Sequence, residues 1–119
     1  YAIIGGLAAI HQFIQIGDHA MISGGSLVRK DVPPYTKAAK EPLSYVGINS
    51  VGLRRRGFTS EKIREIQDIY RILYQKNYNT TPAIGIIEAE MEATPERDEI
   101  LDFIRNSSRG VMKGYSGNY

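Results

Sequence analysis

Cysteine is absent from the 119 residues, which excludes a disulfide framework, a thiolate metal site and a cysteine nucleophile. No apolar run approaches the ~20 residues a membrane-spanning helix needs, so membrane insertion is not expected. The opening residues, Tyr1-Ala2-Ile3-Ile4-Gly5, have neither an initiator methionine nor a basic start. They do not read as a secretory leader, but as a sequence cut from something longer, and the expected location is the cytoplasm. A strong charge of one sign is missing too: a formal net charge of +2 is too small to point to nucleic acid. Nor is there a metal-ligand cluster, a phosphate-cradling glycine loop or a nucleophilic triad, and no metal or redox cofactor is expected.

The charge that is present is unevenly spread. Residues 1–57 hold seven Lys/Arg against Asp18, Asp31 and Glu41, whereas the remainder holds eight bases and ten acids. A locally basic half suits an anionic small molecule or an acidic protein partner. Solvated surface charge is the plainer reading, and the run Arg54-Arg55-Arg56 is what argues against it.

Isoleucine or valine recurs every six residues at Ile4, Ile10, Ile16, Ile22 and Val28, followed four residues on by Ala8, Ile14, Ala20, Ser26 and Val32. A period of six drifts around a helix of 3.6 residues per turn, but it suits a solenoid of short parallel strands. Each hexad forms one side, its lead aliphatic points inward, and small residues such as Gly5 and Gly17 allow a tight corner. Such coils bury their interior only by stacking, so residues 4–33 are expected to continue a solenoid that begins upstream. The repeat is expected to stop at Asp31-Val32-Pro33-Pro34-Tyr35, because two prolines remove two ladder donors.

These patterns divide the chain into terminal solenoid coils over 1–34, an extended linker over 35–48 and a helical domain over 49–119. In the last part the period becomes helical. Thr59 or Ser60 caps a helix with the stripe Ile63, Ile66, Ile69, Tyr70 and Leu73. Thr81-Pro82 and Thr94-Pro95 are each a cap followed by a proline at the first helical position. A shorter helix over about Ser50–Arg56 ends at Gly57, with Leu53 facing the core, and the tail from Lys113 to Tyr119 reads as frayed.

The hexads with their Asp-Val-Pro-Pro exit resemble the hexapeptide-repeat transferases. Within these, Ile4-Gly5-Gly6-Leu7-Ala8-Ala9-Ile10-His11-Gln12-Phe13, Gly24-Gly25-Ser26, Gly47-Ile48-Asn49, Gly52-Leu53-Arg54-Arg55-Arg56-Gly57-Phe58 and Ser107-Ser108-Arg109-Gly110 resemble the acyl-carrier-protein-dependent UDP-N-acetylglucosamine O-acyltransferase family over essentially the whole chain. The resemblance implies the end of a left-handed parallel β-helix followed by a C-terminal α-helical domain, and a homotrimer. It implies transfer of a 3-hydroxyacyl group from the phosphopantetheine arm of acyl carrier protein to the 3-hydroxyl of UDP-N-acetylglucosamine, the first step of lipid A synthesis. The family's general base is a histidine earlier in the solenoid, matched by neither His11 nor His19, so no catalytic residue is expected in this chain.

Each candidate site residue has a plain structural reading beside the one the resemblance implies. His11 and Gln12 are polar corner residues able to donate and accept hydrogen bonds; the resemblance places them in the substrate cleft. Asn49 caps the short helix, and the resemblance puts it in the nucleotide site. Arg55 and Arg56 suit a helix C-terminus, or grip a diphosphate or the phosphopantetheine arm bidentately. Because consecutive helical residues diverge by ~100°, no more than two of the three arginines address one ligand. Gly24 is corner material, or the floor of an acyl groove that its missing side chain leaves open to long chains. Some family members carry an acid where Val51 stands, which puts a ribose contact there in doubt. His19 reads as surface. Two rival functions are a non-catalytic module for trimerisation and carrier-protein docking, and N-acylation of an amino-sugar nucleotide.

Overall fold

The computed structural model describes residues 2–6, 8–10, 14–40, 43–75, 80–107 and 110–114. The hexads make strands of only two residues: β1 (Ile3–Ile4), β2 (Ala9–Ile10), β3 (Met21–Ile22) and β4 (Leu27–Val28). β1 pairs parallel with β3, setting Ile4 beside Ile22, and β2 pairs parallel with β4, setting Ile10 beside Val28. Three hexads therefore return the chain to the same side. Ile22 and Val28 are buried while Ile4 and Ile10, in the same register on edge strands, are 45% and 41% exposed. At Gly17 the corner requires glycine for space alone: a Cβ there would lie 2.3 Å from the Pro34 nitrogen.

The repeat does not stop at the prolines, contrary to the sequence reading. Val32 bridges to Ile16 in parallel, and β5 (Thr36–Ala39) adds a further parallel rung to β3, with Lys37 beside Met21 and Ala38 beside Ile22. Pro33 and Pro34 are buried at the corner between these rungs, where no ladder donor is needed. The step from Val28 to Val32 is two residues short of a hexad, and this slip conceals the last rung from a strict six-residue count.

The segment expected to be a linker is extended but paired. β6 (Ser44–Ile48) runs antiparallel to β5 with a bulge between Lys37 and Ala38. β7 (Lys113–Gly114) then pairs parallel with β6, so the first two residues of the tail that read as frayed complete a five-stranded sheet of order β1-β3-β5-β6-β7. Asp31, only 1% exposed, ties this end to the first strands. Its carboxylate accepts the Gln15 N–H at 2.8 Å and the Ser107 hydroxyl, and its backbone bonds to Gly110 and Met112, both at 2.9 Å.

Four helices follow the hairpin: α1 (Ser50–Arg55), α2 (Ser60–Gln75), α3 (Thr80–Glu90) and α4 (Pro95–Arg105). Gly57, at φ +91°, lets the chain leave α1 in a conformation that costs a side-chain-bearing residue. The stripe expected in α2 is buried at Ile63, Ile66, Ile69 and Tyr70 and partly buried at Leu73, and it is joined by buried Ile84 and Ile87 from α3 and Ile100, Leu101 and Ile104 from α4. They pack with Leu53, Ile48 and Tyr35 into one core, while Ala20, Ile22, Val28, Val32, Ala38 and Met112 fill the other; Tyr45 packs against both. α3 starts at Thr80, one residue before the expected Thr81 cap, leaving Pro82 in the first turn, where helical N–H groups have no partner in any case. No helix of the described residues is long and apolar enough to cross a membrane.

Thr94 caps α4 by accepting the Arg97 N–H at 3.1 Å and also donates to Glu65 on α2 at 3.2 Å. Thr94→Ala is expected to lower the unfolding free energy by about 1–2 kcal/mol, read from urea titrations. Thr94→Ser should restore most of it, and an unchanged midpoint in the alanine variant would dismiss the cap.

Candidate functional site

The corner just before β3 gathers polar groups from four places in the sequence. Asp18 and His19 form its tip, and His19 takes φ +60°, a left-handed conformation uncommon outside glycine. The next corner above, Tyr35 at φ +68°, docks its N–H on the Asp18 carbonyl at 2.9 Å. Corner stacks on corner, so the two rings stack as well, with centroids 5.7 Å apart and planes within 10°. Phe58, just after α1, closes edge-on over both, at 5.2 Å from His19 and 5.9 Å from Tyr35.

Asn49 joins this corner to α1. Its Oδ1 accepts the Gly52 N–H at 3.3 Å as the helix cap, its Nδ2 donates to the His19 carbonyl at 3.1 Å, and its own N–H donates to the Tyr35 carbonyl at 2.8 Å. The residue is 3% exposed, so both ends of its amide have partners inside the chain. Gly52 makes room for it, since a Cβ there would lie 2.5–2.9 Å from the Asn49 amide atoms. At the other end of α1, Arg56 is the C-cap residue, and its Nη1 lies 3.2 Å from His19 Nδ1. Because a guanidinium has only donors, His19 must accept at Nδ1, which makes it neutral with its proton on Nε2.

Charge around the corner is consistent with that state. Burial lowers the His19 pKa below the ordinary histidine value, and the Arg56 charge adds to this, against the pull of Asp18 and Glu99. The Tyr35 hydroxyl donates to Glu99 on α4, and burial, with that bond and its carboxylate, raises the phenol far above its ordinary value. The corner therefore offers a fixed cation, Arg56, braced by a neutral imidazole: an arrangement suited to holding an anion.

Of the residues singled out in the sequence, the structure brings Asn49 and Arg56 together. Arg55, with Arg54, is exposed on the last turn of α1. Val51, in the first turn of α1, is 60% exposed, and that turn carries no acidic residue. Gly24 sits at a different corner, after β3 rather than before it. A Cβ on it would lie 2.8 Å from the Gly6 carbonyl oxygen, so backbone packing requires glycine there whatever else passes by. His11 and Gln12 lie outside the described residues. His19, read from the sequence as a surface residue, is half-buried and central to the corner. Its partner Tyr35 is found only once the two-residue slip after Val28 is allowed for. Among the described residues, no cluster of three His, Cys, Asp or Glu could hold a metal ion.

Residues 31–112 match the family model for UDP N-acetylglucosamine O-acyltransferase, domain 2. Among curated proteins, the acyl-[acyl-carrier-protein]–UDP-N-acetylglucosamine O-acyltransferase of Myxococcus xanthus is 41% identical over 113 residues, covering 95% of this chain and 44% of the relative. Among solved structures, the UDP-N-acetylglucosamine acyltransferase of Bacteroides fragilis superposes with a TM-score of 0.92 at 50% identity, over 94% of this chain and 44% of that one. That of Francisella novicida gives 0.90 at 36% identity, over 98% and 43%. The chain thus spans under half the length of the relatives it matches. With Asn49 and Arg56 both inside the region that the family model matches, the chain belongs to the UDP N-acetylglucosamine O-acyltransferase family.

Proposed function

We propose that this chain is the C-terminal part of an acyltransferase that moves a 3-hydroxyacyl group from acyl carrier protein to the 3-hydroxyl of UDP-N-acetylglucosamine. One observation carries the reading: a fixed cation, Arg56, braced on an Asn49-capped corner, in a fold that superposes on the B. fragilis acyltransferase with a TM-score of 0.92. In this reading the rungs as far as β5 are the last coils of a left-handed parallel β-helix, β6 is the crossing to the helices, and α1 to α4 form the helical domain, with β7 returning to the sheet. Exposure of Ile4 and Ile10, whose register partners are buried, supports further coils stacking beneath them. The working unit is a cytoplasmic homotrimer without metal or redox cofactor.

The transfer forms a carbon–oxygen bond at the sugar and breaks the carbon–sulfur bond of the thioester. An upstream histidine takes the hydroxyl proton and returns one to the departing phosphopantetheine thiol. Residues of this chain bind rather than react. Arg56, with Arg55, takes the nucleotide diphosphate or the arm of the carrier; Asn49 sets the turn that presents them; His11 and Gln12 line the cleft, and Gly24 the acyl groove. The bidentate fork of arginine is the chemistry that suits a diphosphate.

The test is acyl transfer from 3-hydroxyacyl carrier protein, offered both UDP-N-acetylglucosamine and an amino-sugar nucleotide, by this chain and by a protein extended upstream to the length of the relatives. Turnover of the hydroxyl acceptor by the longer protein alone is expected. In that protein Arg56→Ala should raise the KM for UDP-N-acetylglucosamine by about tenfold or more, the equivalent of one charge-assisted contact. Turnover by the 119 residues alone would place the base in this chain, and preference for the amino acceptor would replace the O-acyl reading.

A further inference from the structure

We infer that His19 is a positioning residue for anion binding: its Nδ1 fixes the direction of the Arg56 guanidinium, and protonation of the imidazole releases it. The inference rests on the reading of Arg56 as an anion ligand and adds a residue to it.

Three observations converge. The first is the 3.2 Å contact between Arg56 Nη1 and His19 Nδ1, which ties one arm of the guanidinium fork to the imidazole. The second is that the imidazole itself is held rather than loose. Tyr35 stacks on its face, Phe58 stands edge-on against it, and Asn49 holds its carbonyl. The third is the backbone, since His19 keeps φ +60° at a tight corner where glycine would serve without strain. An imidazole retained in a conformation that disfavours side chains points to use of the ring.

Arginine flexes through many rotamers when unbraced, and ordering it on binding costs affinity. A braced guanidinium has already met that cost. The brace works only while Nδ1 accepts. Once protonated, both imidazole nitrogens donate and two cations face each other, so the contact breaks. The groups around the ring set when this happens. Arg56 opposes protonation, as burial does, while Asp18 beside it and Glu99, which holds the Tyr35 hydroxyl, favour it. The balance lowers the His19 pKa, so the brace is intact at neutral pH and is lost only on acidification below the ordinary histidine range.

The test uses the full-length protein and compares His19→Asn, which tolerates the left-handed backbone and keeps an acceptor in place of Nδ1, with His19→Phe, which keeps a ring and loses the acceptor. His19→Gly, unstrained and without either, covers the case in which the phenylalanine variant folds poorly. At pH 7.5 the KM for UDP-N-acetylglucosamine should rise about tenfold in His19→Phe and His19→Gly, with thermal midpoints recorded alongside, and stay near wild type in His19→Asn. As pH falls from 7.5 to 5.5, the wild-type KM should climb while that of His19→Asn stays flat. Any acid limb in kcat from the catalytic base should be common to all variants. Wild-type KM values in the phenylalanine and glycine variants, or a His19→Asn protein as impaired as they are, would overturn the inference. If Arg56→Ala also leaves KM unchanged, the anion-ligand reading of Arg56 itself is what has failed.

Discussion

Gly17→Ala is expected to destabilise the chain by about 3–5 kcal/mol, combining the usual 1–3 of overpacking with the loss of two backbone hydrogen bonds. An added Cβ would lie 2.3 Å from the nitrogen, 2.6 Å from the Cα and 2.7 Å from the Cδ of Pro34. All three belong to the backbone or to a ring fused to it, so no side chain can swing aside. The corners must separate instead, and the bonds joining them at that point go with the movement: Gly17 N–H to Val32 C=O at 2.7 Å and Val32 N–H to Gln15 C=O at 2.9 Å. Gly85→Ala in α3 is the control. Nothing lies near its added Cβ, and alanine in a helix interior should gain about 0.5–1 kcal/mol. Urea unfolding of the two variants at pH 7 measures both. A Gly17→Ala protein within 1 kcal/mol of wild type would mean the corners are less tightly stacked than described.

The second large effect is an alkaline limit on stability. Tyr45 on β6 stacks on Tyr74 at 4.4 Å and on Tyr70 at 5.5 Å, both from α2. The Tyr70 hydroxyl donates to the Pro34 carbonyl and that of Tyr74 to the Met112 carbonyl at 2.8 Å. Burial pushes the Tyr45 phenol up to about 12 and raises those of Tyr70 and Tyr74 as well. The sign follows from proton binding. Between pH 10 and the raised folded values the native state holds protons that the unfolded chain has released. The contribution is therefore complete below pH ~10 and is lost as pH rises through the folded values. For Tyr45 alone a rise of about two units corresponds to about 3 kcal/mol. Unfolding free energies should thus be level from pH 7 to 9 and fall steeply from 10 to 12. Tyr45→Phe, which keeps the ring, should make that fall shallower. A flat profile through pH 11.5, or an unchanged slope in the phenylalanine variant, would contradict the buried phenol stack.

Much of this architecture was legible in the residues. The aliphatic every six residues gave the strand sides at Ile4, Ile10, Ile22 and Val28, though not which of them pair. The caps at Asn49 and Thr94 and the stop at Gly57 gave α1 and α4. What escaped was long-range. A slip of two residues between Val28 and Val32 hid the rung made by β5, and proline, which bars a ladder locally, sits harmlessly at a corner. The pairing of Lys113–Gly114 with β6 depends on a partner about seventy positions away, for which a two-residue strand carries no local signal. Likewise, Arg56 and Asn49 were visible as types suited to anions and caps. The His19 brace was not, because stacking of corners, rather than spacing, brings that ring to the end of α1.

The Asp31 clamp has a consequence for the order of assembly. Its partners are Gln15 on one side and Ser107, Gly110 and Met112 on the other, so closing it gathers in a loop of more than seventy residues. Ordering so long a loop is entropically unfavourable until the contacts that reward it are made, and non-local pairing of this kind slows folding. The helices are enclosed within the loop, and during synthesis the clamp cannot close until Met112 has left the ribosome. Completion of this fold is therefore a late event that follows translation of nearly the whole segment, and the nascent strands must wait with their edge unmatched until it comes.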